Sequence, residues 1–105
     1  MAGRNKTDAA LKHDLRRGEI IWVLKQDYPH LVTLRHLQLA LRDRNIPVAT
    51  RDLTSYLSYL EEGGFIRSEH RWDEDAAEDR VLAAALTAKG LLLLDKKIED
   101  PGVRF

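Results

Sequence analysis

A chain of 105 residues with 44% hydrophobic residues is long enough for one domain with a modest core. It contains no cysteine, which excludes disulfides and thiolate metal sites and fits a reducing cytoplasm. No stretch reads as a signal peptide or a membrane span. The net charge is zero, yet the first 51 residues carry +5 and the remaining residues carry −5. A basic first half suits a polyanionic partner, although solvated surface of both signs would give the same balance.

The first strong helical pattern covers roughly residues 14–26. Asp14 is its predicted N-cap, and the apolar residues that follow are expected to face the core. Gly18 interrupts the pattern, so residues 8–17 form either a separate short helix or an extension of this one. Trp22 lies off the apolar line. It either closes the core or joins a partner interface, and we favour the core because aromatic residues at helical spacing are mostly packing residues.

A second helix follows a short strand at residues 31–32, and Thr33 is its predicted cap. A leucine stripe at i, i+3 and i+7 predicts its buried face: Leu34, Leu37 and Leu41. Three arginines stay outside that stripe: Arg35, Arg42 and Arg44. Asn45 and Pro47 form the predicted turn to the next helix, and Val48 is expected to be the apolar plug between the two helices.

The third helix carries the main functional hypothesis, and Thr50 is its predicted N-cap. Its core residues are expected to be Leu53, Leu57 and Leu60, with Tyr56 at their edge. The residues expected to face outward are Arg51, Thr54, Ser55, Ser58 and Tyr59. Short hydroxyl side chains beside one arginine make a polar face that can approach DNA closely, because arginine reads guanine in a bidentate way and hydroxyls bond phosphate or base edges. An ordinary solvated helix face would have the same composition.

Gly63 and Gly64 end that helix, since one of them can adopt the left-handed conformation of a C-cap. Residues 65–72 and 80–86 read as the two strands of a β-hairpin, and the second is assigned as a strand from its context although it is rich in alanine. The loop 73–79 between them carries five acids and no base, so its tip is expected to be repelled by phosphate. Basic or imidazole side chains near the strand ends can still reach a DNA backbone: Arg67, His70, Arg71 and Arg80.

Thr87 is the predicted cap of a last helix that runs through Ala88 to about Ile98. Four consecutive leucines at residues 91–94 cover most of its circumference. One face can pack on the domain, and the rest is covered either by a second subunit or by the N-terminal segment. We favour the second subunit. The tail from residue 100 is expected to be loose.

Helix, turn, helix, strand, hairpin, strand and helix is the order of a winged helix-turn-helix, an α+β fold that is mainly α. We expect one such domain over residues 1–105, with a three-helix core, a β-hairpin wing and a C-terminal helix. Its core spans about 14–98, and an N-terminal arm and a C-terminal tail are loose.

The stretches Leu-Ser-Tyr-Leu-Glu-Glu-Gly-Gly-Phe-Ile from residue 57 and Leu-Thr-Ala-Lys-Gly from residue 86 are similar to stretches of MarR- and PadR-like winged-helix regulators. The similarity covers roughly residues 17–95, and it implies sequence-specific DNA binding by a homodimer. The tail Asp-Pro-Gly-Val from residue 100 also resembles that of small winged-helix proteins of Mu-like phages and prophages.

The sequence therefore predicts a DNA-binding protein of the cytoplasm, a bacterial or phage transcriptional regulator that places its third helix in the major groove. Its expected partners are double-stranded DNA and a second copy, bound through the C-terminal and N-terminal helices. The expected DNA contacts are Arg35, Arg42, Arg44, Thr50, Arg51, Thr54, Ser55, Ser58, Tyr59, Arg67 and Arg71. The alternative is a winged-helix module that binds another protein and no DNA.

Catalytic, cofactor and metal sites are not expected. The sequence lacks a phosphate-binding glycine loop, a GxSxG motif and an HExxH motif. Its four histidines, His13, His30, His36 and His70, lack metal-ligand spacing.

Overall fold

The computed structural model describes residues 6–105, so most of the predicted N-terminal arm, residues 1–5, lies outside the described residues. Within residues 6–105 the chain forms four helices and one three-stranded antiparallel sheet. The helices are α1 (Asp8–Lys25), α2 (Leu34–Asp43), α3 (Thr50–Glu62) and α4 (Ala88–Leu94). The strands are β1 (Val32–Thr33), β2 (Ile66–Asp73) and β3 (Glu78–Leu86). This element order is the predicted α+β order of a winged helix-turn-helix.

Helix α1 is a single helix that begins earlier than the sequence pattern indicated. Its N-cap is Thr7, whose hydroxyl accepts a hydrogen bond from the backbone N–H of Ala10 at 3.1 Å. The prediction that Asp14 caps the helix is wrong, because Asp14 lies in the middle of α1 with only 4% of its surface exposed. Its carboxylate is paired there with Arg17 at 3.1 Å, which offsets the cost of burying the charge.

Helices α2 and α3 form the helix-turn-helix. The predicted cap of α2 is confirmed, since the Thr33 hydroxyl accepts from the N–H of His36 at 3.1 Å. Asn45 provides the left-handed turn residue, with φ at 60°. The prediction that Thr50 caps α3 is wrong: Ala49 occupies the cap position without a side-chain bond, and the Thr50 hydroxyl accepts from Gln38 Nε2 at 2.8 Å.

The sheet places β3 in the centre, between β1 and β2. The alanine-rich residues of β3 pair on both sides: Ala84 lies opposite Val32 of β1 and opposite Ser68 of β2. The strand assignment is therefore confirmed, because ladder pairing and burial override the helix preference of alanine. The hairpin is longer than predicted, with Asp73 opposite Glu78, so the acidic loop is reduced to residues 74–77.

The core lies where α1, α2, α3 and the sheet meet. Nine large side chains are fully buried among the described residues: Ile20, Ile21, Leu24, Leu37, Leu41, Leu53, Leu57, Leu60 and Leu86. Burying each such side chain contributes about 1.5–3 kcal/mol. The predicted core face of α3 is confirmed, and Tyr56 is buried with it. Trp22, by contrast, was assigned to the core but has 40% of its surface exposed.

The C-terminal part differs most from expectation. Helix α4 begins at the predicted cap, where the Thr87 hydroxyl accepts from the N–H of Gly90 at 3.1 Å, but it ends at Leu94 rather than near Ile98. Of its four leucines, Leu93 is buried and Leu92 is 45% exposed. Leu91 and Leu94 are partly covered against the core of this same chain. Most of the leucine run is therefore covered by this same chain, and less of its apolar surface is left for a second subunit than the sequence indicated.

The tail at residues 100–105 is packed and not loose. Val103 is buried, and the Arg104 N–H donates to the carbonyl of Asp14 in α1 at 3.0 Å. The Arg17 guanidinium donates to the carbonyl of Gly102 at 2.9 Å. Gly18 permits this contact, because a Cβ atom there would lie 1.8 Å from the Arg104 carbonyl oxygen. A glycine that interrupts the helical pattern thus marks the crossing of the tail over α1.

Candidate nucleic-acid interface

The outward face of α3 is polar and lacks bulky apolar side chains. Arg51, Ser55 and Ser58 are exposed, and Thr54 is half-buried. The Thr54 hydroxyl donates to the carbonyl of Arg51 at 2.9 Å, within the first turn of the helix. We call these four residues the α3 polar face. Because it is rich in short hydroxyl side chains, it can approach another polar surface closely.

Tyr59, which the sequence grouped with these residues, is turned to the other side of α3. Its hydroxyl donates to Asp100 Oδ2 in the tail at 2.6 Å, and its ring lies 4.2 Å from the Arg17 guanidinium. The hydrogen bond to the Asp100 carboxylate, together with burial, raises the pKa of the Tyr59 hydroxyl. Tyr59 therefore joins α3 to α1 and the tail, and it does not belong to the α3 polar face.

The three arginines of α2 and its C-terminus have different surroundings. Arg35 and Arg42 are exposed, and neither forms an ion pair with a residue in the described range 6–105. Arg44 pairs with Glu19 of α1 at 2.7 Å, and its guanidinium lies 5.8 Å from the Trp22 ring. Arg35 and Arg42 can therefore neutralise an external anion, whereas Arg44 is already engaged.

The wing, which we define as the β2–β3 hairpin, carries its basic residues near its acids. Arg71 is exposed and lies opposite Arg80 in the ladder. Arg80 pairs with Asp73 at 2.7 Å and lies 3.6 Å from Glu78. Arg67, at the base of the wing, donates to the carbonyl of Pro29 at 3.3 Å. Arg71 is therefore the basic side chain of the wing that has no such contact within the described part of the chain.

A cleft of about 590 Å³ separates the wing from the N-terminal end of α3, and we call it the wing cleft. Arg51 and Thr54 line it on the helix side, while Glu78 and Asp79 line it on the side of β3. Sequence reasoning placed these acids in a distant loop and missed them as neighbours of Arg51. No local signal would have revealed them, because their position depends on how far the hairpin pairs.

His70 connects the wing to the C-terminal end of α3. Its Nε2 lies 2.9 Å from Glu61 Oε1, and its Nδ1 lies 2.8 Å from Asp79 Oδ2. The hydrogen bond to Glu61 is the main cause that raises the pKa of the His70 imidazole, and the charge of Asp79 adds to it. Both nitrogens donate when the ring is protonated, so the cation holds the wing against α3.

The described residues contain no group of three or more His, Asp or Glu side chains arranged to hold a metal ion. In the same range, 6–105, no helix combines the length and the apolar character that crossing a membrane requires.

Solved structures described as transcriptional regulators share the fold of this chain. A PadR family transcriptional regulator from Eggerthella lenta superposes with a TM-score of 0.57 at 22% identity, covering 85% of this chain and 73% of its own. A PadR-like transcription factor from Bacteroides fragilis gives a TM-score of 0.56 at 16% identity, and the match covers 78% of this chain and 79% of that protein's chain. A transcriptional regulator from Thermoplasma acidophilum gives 0.56 at 20% identity, covering 77% and 78%.

Neither a protein-family model nor a curated protein matches the sequence. At these identities the likeness to the solved structures is one of fold. It confirms the predicted architecture and the resemblance to PadR-like proteins at that level. Residues 6–105 therefore form a winged helix-turn-helix similar to that of PadR-like transcriptional regulators.

Proposed function

We propose that this chain is a DNA-binding transcriptional regulator that inserts α3 into the major groove. The observation that carries the proposal is the α3 polar face, with Arg51 at its first turn, on a scaffold shared with transcriptional regulators. The second helix of a helix-turn-helix contacts base edges with its N-terminal residues. A regulator of this kind acts where the DNA is, so the proposal assigns the chain to the cytoplasm.

Each side chain of this interface has a distinct role in the proposal. Arg51 reads a guanine through two hydrogen bonds, and Ser55 and Ser58 bond base edges or phosphates. Arg35 and Arg42 neutralise phosphates, because both are exposed and without an ion pair in the described residues. Further contacts are Thr50 and Thr54 beside Arg51, and Arg67 and Arg71 along the wing. Tyr59 and Arg44 are left out, because Tyr59 faces the tail and the charge of Arg44 is paired with Glu19.

Fluorescence anisotropy with a random-sequence duplex at low and moderate salt tests the proposal. We expect binding that weakens steeply as salt rises, since each neutralised phosphate contributes a slope of about −0.9 to log K against log salt. Replacing Arg35 or Arg42 with alanine should reduce that slope by about 1. Absence of binding by the wild-type chain at low salt would overturn the proposal.

Arg51→Ala tests the base contact once a specific site has been selected from a random pool. We expect a loss of about 1–3 kcal/mol at that site and relaxed preference at one base pair. Arg104→Ala is the matched control, because Arg104 is an equally charged, exposed side chain on the tail. Equal losses for the two variants would remove Arg51 from the base-reading role.

The same proposal includes a homodimer, supported by an exposed leucine of α1. Leu15, 48% exposed, lines one cleft of about 420 Å³ with Leu11 and Ile46 and another of about 750 Å³ with Val103 and Phe105. Leu15 is thus an exposed apolar side chain shared by both clefts, whose linings also include charged residues. Its exposure favours an interface there.

Light scattering after size-exclusion chromatography tests the dimer. Leu15→Glu should convert a dimer to a monomer, while Leu39→Glu, at a similarly exposed leucine of α2, should leave it intact. A wild-type chain that is monomeric at the highest concentration tested would contradict this part of the proposal.

A protein-binding module remains the second candidate, favoured by charge. Asp52 is exposed beside Arg51, and the acids of the wing flank the same helix, so positive charge is not contiguous there. Failure to bind any duplex at low salt would support the module.

A further inference from the structure

Two threonines at the proposed DNA interface, Thr50 and Thr54, form hydrogen bonds of opposite sense. The Thr54 hydroxyl donates to the carbonyl of Arg51 at 2.9 Å, so its single proton is used inside the helix. The Thr50 hydroxyl accepts from Nε2 of Gln38 in α2 at 2.8 Å, so that bond leaves its own proton for another acceptor. Because the oxygens of a DNA phosphate only accept hydrogen bonds, Thr50 suits a phosphate contact better than Thr54 does.

Gln38 lies on α2 between the two arginines that the proposed function assigns to phosphates. Arg35, Gln38 and Arg42 are spaced i, i+3 and i+7, so they share one face of the helix. Gln38 is half-buried and Thr50 is exposed, so the hydroxyl is open to an external group while the amide beside it is partly enclosed. Their hydrogen bond thus joins the arginine-bearing face of α2 to the first turn of α3.

The bond to Gln38 also decides what the Thr50 hydroxyl is used for. Ala49 holds the cap position of α3 without a side-chain bond, and Thr50 takes its hydrogen bond from α2 instead. A hydroxyl that accepts one hydrogen bond is polarised by it and becomes a stronger donor in the next. Gln38 therefore both holds the Thr50 side chain and strengthens its O–H as a donor.

We propose that Gln38 is a positioning residue of the DNA interface, which orients the Thr50 hydroxyl so that it donates to a backbone phosphate. This inference rests on the proposed function and adds a residue that acts through another. Contacts to phosphates fix the orientation of a protein on the duplex. The pair formed by Gln38 and Thr50 would therefore set how the first turn of α3 meets the groove.

The expected effect is that of one neutral hydrogen bond. Loss of such a bond weakens binding roughly two- to tenfold. No charge is lost with it, so the slope of log K against log salt should stay that of the wild type. This separates the contact from those of Arg35 and Arg42, whose removal should lower the slope.

The experiment compares Gln38→Ala, Thr50→Val and the double variant with the wild type in anisotropy titrations with a random-sequence duplex at two salt concentrations. Thr50→Val removes the hydroxyl and keeps the branched shape, and Thr50→Ser keeps the hydroxyl. Gln26→Ala is the matched control, because Gln26 is exposed and its Nε2 donates to the Trp22 carbonyl at the end of α1. Thermal unfolding of each variant checks that the fold is intact.

We expect Gln38→Ala and Thr50→Val each to weaken binding roughly two- to tenfold with an unchanged salt slope. The double variant should bind like Thr50→Val, because Gln38 has nothing left to orient. Thr50→Ser and Gln26→Ala should bind like the wild type.

Two results would overturn the inference while leaving the proposed function standing. One is full affinity of Gln38→Ala. The other is an equal further loss when Gln38→Ala is added to Thr50→Val, because Gln38 would then act without Thr50. If the wild type itself does not bind at low salt, the proposed function is wrong, and the inference with it.

Discussion

Gly18→Ala tests whether the tail is packed across α1. Gly18 lies inside a helix of 18 residues, where alanine is ordinarily the more favourable residue by about 1 kcal/mol. In this structure an added Cβ would lie 1.8 Å from the Arg104 carbonyl oxygen and 2.8 Å from its carbonyl carbon. Both are backbone atoms, so rotation of a side chain cannot relieve the contact.

The expected cost follows from what fixes that carbonyl. The Arg104 N–H is bonded to Asp14 at 3.0 Å, the Gly102 carbonyl accepts from Arg17 at 2.9 Å, and Val103 is buried. Inserting a methyl group into such a contact costs about 1–3 kcal/mol. The 1.8 Å approach to fixed backbone atoms places the cost near the upper end of that range. After the gain of about 1 kcal/mol in helix propensity, we expect a net destabilisation of about 2 kcal/mol. Each kcal/mol lowers Tm by about 4–8 °C.

Thermal unfolding followed by far-ultraviolet circular dichroism measures this change. The matched experiment places Gly18→Ala in a chain shortened to end at Asp100, where the clashing carbonyl is absent. There the substitution should stabilise the chain by about 1 kcal/mol, so its effect reverses in sign. A full-length Gly18→Ala chain that is as stable as the wild type would refute the packing of the tail.

Three other predictions follow from local contacts. Tyr59→Phe should lower the free energy of unfolding by about 1 kcal/mol, because it removes the hydrogen bond to Asp100, and should leave DNA affinity unchanged. Urea titration and anisotropy measure the two effects, and a large loss of affinity alone would contradict the assignment. Thr33→Ala should destabilise the fold by about 1 kcal/mol, and Thr50→Ala should cost much less, because only Thr33 accepts a capping bond from a backbone N–H. Denaturation midpoints of the pair decide this, and equal losses would count against it. The pKa of His70 is raised in the folded state, so its contacts with Glu61 and Asp79 stabilise the fold fully below about pH 6.5, the ordinary pKa of histidine. This stabilisation is lost as the pH rises through the raised pKa of the folded state. Urea titrations from pH 6 to 8 should therefore show a decline in stability that His70→Gln reduces, and an identical decline in both chains would disprove the linkage.

Much of the helix-turn-helix was predictable because its signals are local. The leucine spacing of α2 and α3 placed Leu37 and Leu53 in the core, and both are fully buried. The Thr33 and Thr87 caps each depend on a hydroxyl and an N–H three residues apart. Gly64 adopts φ of 79°, the conformation that its position after α3 required. Each of these signals depends on residues that lie within one or two helical turns of each other, so the sequence pattern contains all of it.

The candidate site was predictable only in part. The sequence found Arg51, Ser55 and Ser58, because helical periodicity separates them from the buried leucines. It included Tyr59 on the same periodicity, although the ring faces the tail. Glu78 and Asp79 were not predicted to line the wing cleft with Arg51, since nothing near them in the sequence indicates how far the hairpin extends.

The sequence by itself therefore determined the order of the elements, the buried faces of α2 and α3, and two of the four helix N-caps. Only the tertiary structure decided the contacts between segments that are distant in the chain. The sequence pattern indicated an N-cap at Asp14 and a helix interruption at Gly18. In the structure the tail bonds to Asp14, and the Arg104 carbonyl lies where a Cβ atom of residue 18 would be. The physical reason is range: propensity, capping and amphipathicity act over a few residues, whereas burial of a charge or a close backbone approach depends on which distant segment arrives there.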